Sequence, residues 1–149
     1  MGNQLSVYLR FAQTLCDALG ECAYVVVGRV IGEMNAVVAE GNWAGAVPEE
    51  TTSRAPHIAY GKFGELVLLG GGRDGKLVMT PVLGNEQSYG WMGGVAQDGV
   101  IVAVSKWKPE HDRLLALLTL YNAVIQKLVL HHVGFRFSDP LGYKVFNDL

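Results

Sequence analysis

DGVIVAVSKWKPEHDRLLALLTLYNAVIQKLVLHHV, residues 98–133, contains in order a turn, a strand, a connector and one long helix. Asp98-Gly99 suits a hairpin turn, and Val100-Ile101-Val102-Ala103-Val104 is an apolar run of the kind that forms a buried strand. Lys106-Trp107-Lys108 then leads to Pro109, a good first-turn residue, with Glu110 and Asp112 at the positive helix end. Lys127, His131 and His132 sit towards the negative end, and Gly134 is the expected stop. At about 100° per residue, Leu114, Leu117, Leu118, Tyr121, Val124, Ile125, Leu128 and Val129 share one face. That face is expected to cover the sheet, leaving Leu115, Leu120 and Leu130 off it. A helix of this kind is stable only when docked.

Working outward, the upstream chain supplies the sheet. Asn3 is a candidate cap for a helix over 4–19 that ends at Gly20. Its stripe is Leu5, Tyr8, Leu9, Ala12, Leu15, Cys16 and Leu19. Residues 22–31 predict a strand, Gly32-Glu33 a turn, and residues 35–40 a second strand paired with the first as a hairpin. Residues 41–56 predict an irregular loop carrying Trp43, Pro48 and the Glu49-Glu50 pair. Pro56 opens an expected helix to about residue 69, with Ile58, Ala59, Phe63, Leu66 and Val67 inward; a short helix followed by a strand over 65–69 is the alternative. Residues 70–75 predict a glycine-rich turn, and residues 76–83 and 88–97 two further strands. The tail from 135 to 149 contains Phe135, Phe137, Tyr143 and Phe146 and is expected to pack back on the domain.

The totals bound the class. A chain of 149 residues, 50% apolar and 17% charged, fits a single globular domain over 1–149. A formal charge of -2 and a pI near 6.0 offer no footprint for nucleic acid or an anionic membrane. No apolar run approaches the roughly 18 residues of a membrane span, and the N-terminus lacks the pattern of a signal peptide, so a cytoplasmic location is expected. Cys16 and Cys22 are the only cysteines and read as buried free thiols.

The ordering of helix, two strands, loop and helix, three strands and long helix belongs to the broad profilin-like group. Within that group the stretch DGVIVAVSKWKPEHDRLLALLTLYNAVIQKL resembles the close of a GAF domain. The opening from Leu5 through Tyr24-Val25-Val26-Val27 to Glu40 is also similar. The resemblance implies a small-molecule sensor, often dimeric through its terminal helices, with a pocket between the sheet and the middle loop and helix. The chain departs from several GAF subtypes. It lacks the Asn-Lys…Phe…Asp-Glu signature of cyclic-nucleotide binders, it has no middle-region cysteine for a bilin, and Cys16 and Cys22 do not match the loop cysteines of the methionine-sulfoxide reductases. A second likeness is to roadblock-type domains, which act as dimerisation scaffolds. A third is to the haem-binding family of small stand-alone α/β domains.

Candidate sites follow from the residue types. Gly70, Gly72 and Gly75 match G-x-G-x-x-G, but a strand-like segment follows where a dinucleotide fold needs a helix, so a glycine-rich hairpin is the better reading. Glu110, His111 and Asp112 cluster at a helix start, where adjacent side chains diverge and a solvated first turn is expected. His57, His131 and His132 lack a metal-ligand spacing. Arg54 and Arg73 lie near probable loops and suit a ligand carboxylate or phosphate. Trp43, His57, Tyr60, Phe63, Tyr89, Trp91 and Met92 form an aromatic set that is either core or the wall of a pocket. With Arg73 they are the expected ligand-binding residues. No catalytic group, metal site or cofactor is assigned.

The expectation is therefore an α+β domain, with a central antiparallel sheet of about five strands and its first and last helices together on one face. The leading functional expectation is a non-catalytic small-molecule-binding or sensor module of GAF-like type that forms a homodimer. The alternatives are a roadblock-type scaffold without ligand and a small enzyme using His111 or His57.

Overall fold

The computed structural model describes residues 2–32, 36–47, 54–81 and 91–132. Three helices flank one sheet: α1 (Gly2–Leu19), α2 (Ala55–Leu68) and α3 (Pro109–His132), with β1 (Cys22–Ile31), β2 (Ala36–Gly45), β3 (Val78–Met79), β4 (Gly94–Gln97) and β5 (Val100–Ser105). The sheet is antiparallel and ordered β2-β1-β5-β4-β3, so the expected α+β architecture with five strands is the one observed.

Alternation along the central strands sorts the core into two layers. Val25 and Val27 of β1 and Val102 and Val104 of β5 pack with Leu5, Ala12 and Cys16 of α1 and Leu115, Ala116 and Leu120 of α3. Val26, Val30, Ile101 and Ala103 point the other way, onto Ala59, Phe63 and Leu66 of α2. The first and last helices thus share one face, and α2 covers the other. α1 stops as expected at Gly20, whose φ is +67°, with Gly20 N–H donating to Asp17 O and Glu21 N–H to Cys16 O. Its start at Gly2 leaves Asn3 inside the helix rather than capping it. Leu19, expected on the inner stripe, is 62% exposed.

Several boundaries differ from those expected. The hairpin continues through Gly45 in register with Cys22, so residues 41–45 are strand and not loop. Gly41 permits this: a side chain there would lie 2.5 Å from the Tyr60 hydroxyl and 2.8 Å from that of Tyr24. α2 runs as one helix to Leu68, and the helix-plus-strand alternative does not occur. Residues 70–72 make a short 3₁₀ turn instead of a hairpin, and the Gly71 and Gly72 carbonyls accept the Gly99 and Asp98 N–H groups of the β4–β5 turn. Strand is confined to Val78–Met79 and Gly94–Gln97 within the described parts of the two longer strands expected there.

The expected inner face of α3 is also corrected. Leu115 is 2% exposed, whereas Leu114 is 55% and Leu118 43% exposed. Asp112, Leu115, Ala116, Thr119 and Leu120 form the buried stripe, with Leu117 and Tyr121 partly buried beside it. Ala116 and Thr119 are small, which lets the helix axis approach α1 and the sheet more closely than a leucine-only face would. The side chains of Val124, Ile125, Leu128, Val129 and Leu130, those of Lys127, His131 and His132, and the tail from 133 to 149 lie outside the described residues, as do residues 48–53 and 82–90.

Candidate functional site

The buried polar stripe residue Asp112 does not face an apolar wall. Its carboxylate meets Lys62 of α2, with Nζ 3.5 Å from Oδ2 and both side chains buried. Lys62 is only 1% exposed and donates to the Val104 carbonyl at 2.6 Å. The two helices cover opposite faces of the sheet, so this pair spans the layers at the end of β5. Gly93, at φ +121°, makes the crossing possible. A Cβ there would stand 2.8 Å from Lys62 Nζ, 2.8 Å from Asp112 Cβ and 2.6 Å from Val104 O.

Asp112 also holds the β5–α3 connector. Its Oδ1 accepts the Trp107 N–H at 2.9 Å, and the Lys106 backbone N–H also donates to this carboxylate. Lys106 has φ +126°, a strained value for a residue with a side chain. The Trp107 indole N–H donates to Cys22 O at 2.8 Å, which fixes the ring. Burial dominates the electrostatics of the pair. It pushes the Asp112 carboxyl up to about 6 against the opposing pull of Lys62, and it lowers the Lys62 pKa despite the carboxylate beside it.

A cleft of about 360 Å³ opens over this pair. Lys62 and Asp112 form its polar floor, Trp91, Met92 and Trp107 its apolar walls, and Arg54 and Lys106 add charge. The lining therefore carries three cationic side chains and one carboxylate, of which Lys62 and Asp112 are paired. A lining of this kind offers positive charge to a small anion, beside a carboxyl whose pKa burial raises to about 6.

The residues expected to line a single pocket are divided among separate places. Trp91 and Met92 belong to the cleft. Trp43 stands on β2 with its ring edge-on to Tyr24, centroids 5.4 Å apart at 83°, and Tyr60 packs against Tyr24 from α2 at 6.1 Å. Trp43 is thus part of a strand-and-helix aromatic cluster rather than of an irregular loop. Phe63 is core, its ring lying over Gly28. His57 is exposed on α2. Arg73 is at the far end of the sheet, where its guanidinium donates to Gly32 O. Tyr89 lies outside the described residues.

Lys62 and Trp107 are not among the expected site residues, and Asp112 is expected only in a solvated helix start. A signal was present. Lys62 interrupts the inward stripe Ala55, Ala59, Phe63 and Leu66, and Asp112 begins the stripe of Leu115, Ala116 and Leu120. A charge inside an apolar stripe asks for a partner from elsewhere. Among the described residues no helix is long and apolar enough to cross a membrane, and no three histidine, cysteine or acidic side chains gather as a metal site. No family model, curated protein or solved structure matches this chain.

Proposed function

We propose that this chain is a non-catalytic binding or sensor module for a small anionic molecule, held in the cleft above Lys62 and Asp112. The observation that carries the reading is the buried ammonium–carboxylate pair at the floor of a cleft walled by two tryptophans. Its volume of about 360 Å³ falls in the lower part of the range of ligand pockets, and the mixture of apolar walls with a few polar groups is typical of them. Arg54 and Lys106 at the rim favour a carboxylate or phosphate, with the apolar body of the ligand against Trp91 and Met92. This agrees with the sensor role implied by the GAF-like order of elements, although the pocket differs from the one first expected.

Native mass spectrometry of the chain purified from its own cell tests the reading, together with thermal melts in millimolar malonate, glutarate, benzoate and phosphate. A retained small molecule, or a rise of about 2 °C or more with one of these anions, is expected, and Trp91→Ala should abolish it. A bare protein whose melting temperature moves with none of the four anions would overturn it.

A second reading, the roadblock-type scaffold, is favoured by one observation. β2 is a ten-residue outer strand with Val37 and Val38 exposed, and unpaired outer strands are templates for pairing with another chain. Under that reading light scattering gives a dimer that Val38→Lys converts to a monomer. A wild-type monomer would dispose of it.

A further inference from the structure

Beside the β5–α3 connector, α1 and α3 leave a second cavity of about 650 Å³, which shares Lys106 and Trp107 with the cleft. Leu15 and Leu19 of α1 and Leu114, Leu115 and Leu118 of α3 line it, with Trp107 as a wall. Leu115 closes the floor, while Leu19, Leu114 and Leu118 are exposed. An apolar concavity of this size in water is a binding surface more often than chance exposure.

Its polarity is graded along the axis of α3. Lys106 and Lys108 from the connector and His111 from the first turn stand at one end, accompanied by Glu21. Leu114 and Leu118 follow along the helix, and from His111 to Leu118 the groove extends about 10 Å at 1.5 Å per residue. Among the described lining residues, this end of two lysines, one histidine and one glutamate is followed by leucines. The Trp107 wall is set before any ligand arrives, because both its indole and its backbone N–H are hydrogen-bonded.

We infer that this groove binds a single-chain amphiphile with an anionic head, a medium-chain fatty acid, with its carboxylate at Lys106 and Lys108 and its chain along Leu114 and Leu118. A second copy of the chain fits the same surface less well. A two-fold axis sets the patch against itself, and with the α3 helices antiparallel the lysine end of one copy would meet the leucine end of the other. The two cavities share Lys106 and Trp107, but Leu114 and Leu118 line only the groove and Trp91 and Met92 only the cleft, so the two readings can be tested apart.

Calorimetric titration of the full chain with decanoate, and with decanol as the uncharged control, tests it. Saturable one-to-one binding of decanoate is expected, with decanol weaker. Leu118→Asp should weaken decanoate by about tenfold or more, since it removes one aliphatic contact and adds a like charge. Lys108→Glu should weaken decanoate several-fold and leave decanol unchanged. Titration of Trp91→Ala, in which the other cleft is disabled, should still give saturable one-to-one binding of decanoate, so failure of one site is distinguishable from failure of the other. Circular dichroism checks that each variant folds, and Leu114→Gln replaces Leu118→Asp if that variant does not. The absence of saturable heat with decanoate would overturn the inference, as would a Leu118→Asp or Leu114→Gln variant that binds as well as wild type. A wild-type dimer that Leu118→Asp dissociates, with no decanoate bound by either form, would assign the groove to a second copy instead.

Discussion

Asp112 receives two backbone N–H groups and the Lys62 ammonium, yet burial still raises its pKa from 3.8 to about 6. In the unfolded chain the same carboxyl releases its proton near 3.8. Between that value and about 6 the folded protein keeps a proton that the unfolded chain has lost. Asp112 therefore contributes its full stabilisation below the unfolded pKa and loses it as pH rises through the folded one. At 1.36 kcal/mol per pH unit, the loss is about 2–3 kcal/mol by pH 7. Urea denaturation of wild type and Asp112→Asn at pH 4 and pH 7 should show wild type losing about that much relative to the variant. Parallel pH dependence in the two proteins would contradict it. Lys62 acts in a different window. Its folded pKa is below 10.5, so its contribution grows as pH rises from that lowered value towards 10.5.

α3 shows how a leucine-rich helix can be read to the wrong face. Counting leucines selects Leu114 and Leu118, whereas the packed stripe contains Asp112, Ala116 and Thr119. Small and polar residues lower the apparent apolarity of a face even when they are the ones in contact. Leu115→Ala should then cost about 2–5 kcal/mol, as truncation in a packed core does, while Leu114→Ala should cost less than about 1 kcal/mol. Equal losses in chemical denaturation would reverse the assignment. β1 was legible to the residue because Cys22 to Ile31 is apolar on both faces and ends in a glycine turn. β2 was not, because Gly41, Asn42 and Gly45 are poor strand formers individually and are recruited by pairing with β1.

The molecule is a sheet between two unequal helical layers, joined at one end by Lys62 and Asp112 across Gly93. Gly93→Ala tests that junction. The added methyl would stand within 2.8 Å of both members of the pair and force a positive φ on alanine, so a loss of about 2–3 kcal/mol or more is expected. An unchanged melting temperature would mean that the layers are not locked there. Hydrogen exchange should follow the strand order. Amides of β1 and β5, paired on both sides and covered on both faces, should exchange most slowly, and those of the two-residue β3 fastest of the strands. Fast exchange in β5 would be inconsistent with this core.

From its own pattern the sequence determined the α+β class, the antiparallel strands, the approximate positions of α1 and α3 and the pairing of the first two strands, and it left residues 65–69 open between helix and strand. Those features depend on periodicity and turn chemistry, which are local. Only the tertiary structure decided which face of α3 is buried, that Trp43 belongs to a strand, and that Lys62 and Asp112 meet. The lysine and the carboxylate are 50 residues apart in the chain. Each is interpretable only through the other, because a buried charge is stable where an opposite charge and hydrogen-bonding groups are brought to it, and no local pattern records which distant residue that will be.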